Sequence, residues 1–397
     1  MDNQFESHLK EVYAYFNSED HSLALRRLTD CAIETQNMDV FRETISYYEW
    51  LESDDNMMLL EPVENKNRAH HLLQHIRNIG VKHDFLKPVE ERKILSVKEV
   101  NKTYFKSGFS IKGLNFDMYE RQITGLVGEN GNGKTTLLRL LASELKPDHG
   151  EIRYHFAKEH KEQYELKTKL IYIEQRIPRW YGTLMDNLKF VLPFYGFTGD
   201  DSHLWADMMI ARLGLRPYRH LTWSRISSGY RTRFELAKTL LRNPKIVLLD
   251  EPLANLDINS QQTILQDLKY MANSISTPFG MILSSQHIYE VEKVSDKIIF
   301  IKNGEPQYQN NTATARPETT MVDYLIIEIE TKSSREDLTE AFKNLPLQKL
   351  QFNGGVYLLY FSMETALTEV LDAMVHCNIE PDYFRNISNS SRRFFIN

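Results

Sequence analysis

The sequence predicts a mixed α/β protein, with a largely parallel sheet in its central part, an all-helical N-terminal domain and an α+β C-terminal domain. Three observations support this fold class: helical apolar spacing up to residue 79, β-branched runs alternating with helical ones over residues 94–305, and a new strand and helix order after residue 320. A chain of 397 residues is long enough for several domains with their own cores. The expected domains are residues 1–93, 94–312 and 313–397.

The N-terminal domain is expected to contain about four helices and to end in a linker over residues 80–93. Its helices are separated by the breaks NSED, TQNMD and EPVEN. Residues 1–90 carry a net charge of −8, while the rest of the chain carries +2. No catalytic motif occurs in this acidic block, so docking of a partner, restraint of the central domain and simple solubilisation all remain open.

The C-terminal domain is predicted from the order of its patterns. YLIIEIE is a strand, SREDLTEAFKNL a helix, QKLQF and VYLLYFS a hairpin, METALTEVLDAMVHC a helix and EPDYFRNIS a final strand. The order β-α-β-β-α-β is that of the ferredoxin-like fold.

Composition and charge exclude several classes of protein. The chain is 42% hydrophobic, and no apolar run approaches the roughly 18 residues of a membrane helix. Its acidic start does not resemble a signal peptide, so we expect a chain that neither spans a membrane nor is secreted. The absence of a basic tract argues against a nucleic-acid partner. Cys31 and Cys377 are expected to be reduced thiols.

A phosphate-binding loop lies between the predicted strand QITGLVG and the predicted helix KTTLLRLLASEL. Gly128, Gly133, Lys134 and Thr135 satisfy the pattern G-x-x-x-x-G-K-[ST]. Glycines free backbone N–H groups for phosphate oxygens, and the helix adds its positive dipole end. Lys134 is expected to contact the β- and γ-phosphates and Thr135 to bind Mg²⁺. The ligand is thus a nucleoside triphosphate, and the remaining residues assigned to this loop are Asn130, Gly131, Asn132 and Thr136.

Two carboxylates follow the apolar strand IVLL, 116 residues beyond Lys134. The carboxyl ends of parallel strands face the ligand in α/β proteins. We therefore expect Asp250 to bind Mg²⁺ and Glu251 to accept a proton from the attacking water.

The stretch ISSGYRTRFELAKTLLRNPKIVLLDEP resembles the signature segment of the ATP-binding cassette (ABC) ATPases, whose motif is LSGGQ-x-x-R. Ser227, Gly229 and Arg233 match the motif, whereas Ser228 replaces a glycine and Tyr230 a glutamine. The resemblance implies that Ser227, Ser228 and Gly229 cap the γ-phosphate of ATP bound to a partner subunit. The two departures put the capping geometry and the turnover rate in question.

Four other positions resemble functional residues of the same family, and the likeness covers about residues 94–305. Tyr104 stands at the position of the aromatic residue that stacks on adenine. Gln175 is at the position of the glutamine that contacts Mg²⁺ or water and senses a membrane partner. Asp257 matches the D-loop, and His287 matches the histidine that binds the γ-phosphate and positions water.

The resemblance implies a dimer around two ATP molecules, because one chain carries one phosphate loop and one signature. A homodimer is favoured over a heterodimer with one degenerate site, because Glu251 and His287 are both present. It favours the nucleotide-binding subunit of an exporter-type ABC transporter on the inner face of the cell membrane, working with a separate membrane-spanning subunit. That subunit is expected to dock on residues 175–196, where Trp180, Tyr181 and Phe190 offer apolar contacts unless they fill the helical subdomain.

A second function class remains open: a soluble or regulatory ABC ATPase that acts on ribosomes, DNA or a membrane complex without moving solute. Soluble relatives usually carry two cassettes, a coiled-coil insertion or basic arms, and this sequence has none of these. The transported substrate is not encoded in this chain, because selectivity in the family lies in the membrane subunit.

Overall fold

The computed structural model describes residues 3–18, 20–53, 62–82, 92–104, 108–157, 162–254, 256–311 and 324–388. The chain forms two compact units, Met1–Ala313 and Thr314–Asn397. The predicted boundary at residues 312/313 and most of the predicted linker lie outside the described residues. No helix in the described ranges combines the length and apolar content needed to cross a membrane.

The N-terminal part is helical and belongs to the same compact unit as the central domain. Asp20 and Asn37 begin the second and third helices as N-caps, each accepting a hydrogen bond from a backbone N–H group. The periodic apolar residues lie inside: Leu9, Val12 and Leu28 are fully buried. The helices among the described residues of this part are α1 (Asn3–Asn17), α2 (His21–Thr35), α3 (Met38–Glu52) and α4 (Pro62–Ile79).

The central domain contains a six-stranded sheet in the order β5-β6-β7-β3-β8-β9. Its first five strands are parallel, and β9 pairs antiparallel with β8 at one edge. The strands are β3 (Ile123–Val127), β5 (Leu170–Ile173), β6 (Ile246–Leu249), β7 (Gly280–Ser285), β8 (Lys297–Lys302) and β9 (Glu305–Asn311). Every side chain of β3, β6 and β7 is buried, as expected of strands covered on both faces.

A second sheet of the central domain was not predicted. β1 (Lys93–Tyr104) pairs antiparallel with both β2 (Phe109–Tyr119) and β4 (His149–Tyr154). The run ILSVKEV, residues 94–100, is the first of the β-branched runs from which a largely parallel sheet was predicted, but it belongs to this antiparallel sheet. The sheet was not predicted because an apolar run does not reveal which strand it pairs with. The two sheets share one hydrophobic core, in which Leu95 and Phe116 of this sheet cluster with Leu126 and Ile246 of the other.

The helices of the central domain connect these strands. Residues 184–240 form a mainly helical segment between β5 and β6. The helices are α5 (Lys134–Leu141), α6 (Glu162–Lys169), α7 (Leu184–Val191), α8 (Asp200–Arg212), α9 (Ser228–Leu240), α10 (Ile258–Ala272) and α11 (Ile288–Glu292).

The C-terminal unit has the predicted element order β-α-β-β-α-β. Its four strands are all antiparallel to their neighbours, in the order β11-β12-β10-β13. Its helices bury Leu338 and Val370 against Ile327 and Phe361 of the sheet. The elements are β10 (Tyr324–Thr331), α12 (Arg335–Ala341), β11 (Leu347–Asn353), β12 (Val356–Ser362), α13 (Leu367–His376) and β13 (Pro381–Asn386).

Candidate functional site

The phosphate loop connects the end of β3 to the start of α5, as predicted. Gly133 is the N-cap of α5 and has φ 102°, a backbone conformation that residues other than glycine rarely adopt. Gly128 has no room for a side chain, because a Cβ atom there would lie 2.4 Å from the carbonyl oxygen of Ile301. Glycine is therefore required at Gly133 by the backbone conformation and at Gly128 by the lack of space for a side chain.

Lys134 is buried beneath this loop. Its Nζ donates to the carbonyl oxygen of Gly128 at 2.7 Å and lies 3.1 Å from Glu251 Oε1, with both side chains at most 10% exposed. The lysine expected to bind phosphate and the expected general base therefore form an ion pair in this structure. Phosphate oxygens bound to the loop would compete with Glu251 for Lys134, because both are anionic acceptors.

Asp250 lies at the centre of a hydrogen-bond network at the carboxyl end of β6. Thr135 Oγ1 donates to its Oδ2 at 2.7 Å, and Ser284 Oγ donates to its Oδ1 at 2.8 Å. Tyr172 OH donates to Oδ2 at 3.2 Å. Burial and the Asp250 charge raise the pKa of Tyr172, so it remains a neutral donor.

Glu251 has a backbone conformation uncommon for its residue type, with φ 49°. Its N–H group donates to Ser284 Oγ at 2.9 Å, which stabilises this turn. Within the described residues, its buried Oε1 accepts no hydrogen bond and has only the Lys134 ion pair. A strained, buried carboxylate next to a phosphate loop is typical of a catalytic position.

We call Lys134, Thr135, Asp250 and Glu251 the inner group. The sequence predicts all four but not the residues that hold them. Ser284 lies on β7, where Leu283 pairs with Leu249 in the parallel register, so Ser284 is level with Asp250; only this strand pairing brings the two together. Asn132 accepts from Asn303 N–H at 2.9 Å and thereby ties the loop to the turn after β8, a contact that no motif indicates.

We call Gln175, Ser227, Asp257 and His287 the outer group. All four are exposed, and no hydrogen bond joins their side chains to the inner group among the described residues. Gln175 and Ser228 line a pocket of about 250 Å³ together with Asp250 and Glu251. Asp257 is the N-cap of α10 and accepts from Ser260, hydrogen bonds that lower its pKa.

The signature segment forms the start of α9, with Ser227 at the N-cap and Gly229 close to Leu256. Tyr230, one of the two departures from the family motif, packs against Tyr218 with the rings tilted by 36°, and the two hydroxyl groups share a 2.7 Å hydrogen bond. Arg233 donates to the carbonyl oxygen of Leu213 at 3.3 Å. Tyr230 and Arg233 thus hold the helix on the preceding turns.

The predicted aromatic residues have different environments. Tyr104 is half-buried at the end of β1, opposite Phe109. Phe109 lies against the loop, since a Cβ atom at Gly133 would lie 2.7 Å from its ring. Trp180 was wrongly expected to offer surface contacts: it is 8% exposed and packs against Trp223 and Phe234.

Comparison with known proteins identifies the family of the chain. A family profile described as ABC transporter matches residues 111–254. The ABC transporter ATP-binding protein NatA of Bacillus subtilis is 30% identical over 210 residues, which are 50% of this chain and 81% of NatA. The phosphonates import ATP-binding protein PhnC of Treponema denticola is 27% identical over 53% of this chain and 87% of PhnC.

Among solved structures, cbiO1 from Clostridium perfringens, part of the ABC transporter complex cbiONQ, superposes with a TM-score of 0.51. It is 25% identical, and the match covers 56% of this chain and 89% of cbiO1. The chain belongs to the ABC transporter ATP-binding protein family and is an ABC-type ATP hydrolase. The family profile starts at residue 111 and therefore does not include the N-terminal helices.

Proposed function

We propose that this protein binds ATP and Mg²⁺ through the inner group, dimerises around two ATP molecules and drives a separate membrane-spanning subunit. The observation that carries the proposal is the convergence of Lys134, Thr135, Asp250 and Glu251 at the carboxyl end of the parallel sheet. On this proposal the protein is peripheral on the cytoplasmic face of a membrane.

The oxygen donors of the inner group suit magnesium. Thr135 Oγ1 and Asp250 Oδ2 are 2.7 Å apart, so a hydroxyl and a carboxylate oxygen already converge beside the phosphate loop. Mg²⁺ binds proteins through a few such oxygens and completes its shell with water and phosphate. Bound there, with Gln175 as a further ligand, it would neutralise charge on the β- and γ-phosphates.

The reaction assigned to the site is attack of water on the γ-phosphate. Lys134 would move from Glu251 to the phosphates, which frees the Glu251 carboxylate to accept the proton of the attacking water. His287 would orient that water at the γ-phosphate. Tyr104 would stack on the adenine base, while Asn130, Gly131, Asn132 and Thr136 would complete the loop around the phosphates.

The dimer is proposed because the outer group is exposed and separate from the inner group. Ser227, Ser228 and Gly229 begin α9, whose N-terminus can offer N–H groups to an anion. A second copy of this chain would supply those groups, together with Asp257, to the ATP bound by the first.

An exposed aromatic patch supports docking of a membrane subunit near Gln175. Tyr181, Phe190 and Phe194 are 84%, 70% and 69% exposed, and the two phenylalanine rings lie 5.5 Å apart. Exposed aromatics of this kind mark interaction sites. The direction of transport is proposed as export. The C-terminal βαββαβ unit, which we infer to be ferredoxin-like, differs from the β-rich extension of sugar importers. PhnC, which is 27% identical to this chain, is however named for import.

The test is Glu251→Gln in the full chain. We expect ATP binding to persist and hydrolysis to fall by about 10²–10⁴-fold, since a general base is lost without a change in volume. The tagged variant, solubilised from its native membranes with ATP, should co-purify with a polytopic membrane protein in stoichiometric amount. Recovery of ribosomes or nucleic acid instead, or unchanged turnover, would refute the proposal.

A further inference from the structure

Helix α2 buries four charged side chains against the central domain. Arg26, Arg27, Asp30 and Glu34 are each at most 8% exposed. Charged side chains are almost never buried unless they are paired, so this face of α2 is built for specific partners.

Asp30 connects α2 with α8. Arg212 Nε donates to Asp30 Oδ1 at 2.6 Å, and Arg27 Nη1 donates to Asp30 Oδ2 at 2.5 Å. The other arm of Arg27 donates to Asp267 Oδ1 of α10 at 2.6 Å. An unbroken series of ion pairs therefore runs from α8 through α2 to α10. Burial opposes the charge of Arg27, yet Asp30 and Asp267 raise its pKa above the usual value.

Glu34 fixes a second part of the central domain. Its carboxylate accepts hydrogen bonds from the backbone N–H groups of Ile275 and Ser276, at 2.9 and 2.7 Å. These residues lie between α10 and β7, the strand that carries Ser284 beside Asp250. Helix α2 is thus bound to the part of the chain that shapes the inner group.

Helix α3 holds the exit of α8. Arg216 donates to both carboxylate oxygens of Glu52, at 2.6 and 3.0 Å, and the ring of Phe41 meets that of Trp205 edge to face at 4.9 Å. Residues 216–225 lead from α8 to Ser227 and the signature helix α9. The N-terminal helices therefore hold α8 and the start of the segment that leads to the signature.

We propose that Asp30 and Arg212 are positioning residues for ATP hydrolysis. By joining α8 to α2 and hence to α10, they hold the signature helix at a set position relative to Asp250 and Glu251. The N-terminal helices then set the turnover rate of the ATPase. Buried ion pairs suit this role because they demand strict geometry while adding little net stability. The inference rests on the proposed roles of Glu251 and the signature segment.

The experiment measures kcat, ATP affinity and the thermal midpoint of full-length Arg212→Met. This change removes the link to α8 while Asp30 keeps Arg27 as its partner. We expect kcat to fall about 10-fold, because small misplacements of catalytic parts are costly, with ATP affinity within about twofold. Arg212→Lys retains a charged donor and should recover part of the loss.

The matched control is Arg42→Ala. Arg42 also joins the N-terminal helices to α8, through Asp201 at 3.5 Å, but both side chains are more than half exposed. Exposed pairs contribute little, so kcat and the thermal midpoint should match those of the wild type.

A kcat for Arg212→Met equal to the wild type, whatever its thermal midpoint, would overturn the inference. An equal loss of kcat and ATP affinity would overturn it as well, because that pattern indicates general damage to the ATP site. If Arg212→Met does not fold, Asp30→Asn keeps the volume and one acceptor, and the same separation of kcat from affinity is required. Glu251→Gln is measured in parallel: wild-type hydrolysis by that variant would refute the proposed site itself.

Discussion

The inner and outer groups of the candidate site differ in how their side chains are held. Lys134 and Asp250 are buried, and hydrogen bonds or ion pairs join each member of the inner group to another. Gln175 and His287 of the outer group are exposed, with no hydrogen bond between their side chains and a described residue. Both groups lie at the ends of strands or the starts of helices, so their difference does not arise from secondary structure.

This difference indicates which part of the site a single chain completes. A buried network has to be satisfied within the fold, since unpaired buried polar groups are costly. Exposed groups are satisfied by water and can exchange it for a ligand or a partner surface at little cost. The inner group is thus preorganised for the phosphate and metal that we propose it binds, and the proposed dimer would organise the outer group.

The largest expected effect is that of Lys134→Ala. It should abolish ATP binding, because the loop loses its cation, and it should lower stability by about 3–5 kcal/mol, because Glu251 remains as an uncompensated buried charge. Calorimetric titration with ATP and chemical denaturation measure the two effects.

The double variant Lys134→Ala/Glu251→Gln separates these effects. Removal of the Glu251 charge should restore most of the stability and none of the ATP binding. If the double variant is as unstable as Lys134→Ala, the unpaired charge of Glu251 is not the cause of the lost stability.

His287 belongs to the outer group, so His287→Ala should lower turnover without lowering stability, in contrast to Lys134→Ala. Turnover should fall by about 10²-fold, at the low end for loss of acid–base or water-positioning groups. The thermal midpoint should not change, because the side chain is exposed. His220→Ala, at another exposed histidine, is the control and should leave both quantities unchanged. A lower midpoint for His287→Ala would contradict the distinction between the groups.

The smallest expected effect is that of Ser284→Ala. Asp250 Oδ1 loses a donor and Glu251 N–H loses an acceptor, which should lower the free energy of unfolding by about 1–3 kcal/mol. Thr124→Val is the matched control, since Thr124 Oγ1 is buried on β3 and makes no hydrogen bond within the described residues. Equal stability of the two variants would show that the Ser284 network does not support the inner group.

Much of the fold followed from the sequence because its signals are local. The spacing of Phe5, Leu9 and Val12 predicted the first helix, and those side chains are buried. The strands preceding Gly128 and Asp250 were recognisable as short apolar runs next to phosphate and metal motifs. The antiparallel sheet was missed because β1 pairs with β2 and β4 through contacts that no run of residues specifies.

The sequence by itself predicted the inner group, since glycines, a lysine and strand-end carboxylates in this order favour a site for a nucleoside triphosphate and its metal. Tertiary structure decided how that group is held and what surrounds it. Ser284 reaches Asp250 only through the pairing of β6 with β7, and Asp30 meets Arg212 across 182 residues of chain. Neither contact has a sequence signal, because a buried polar partner is selected by three-dimensional proximity and not by its neighbours along the chain.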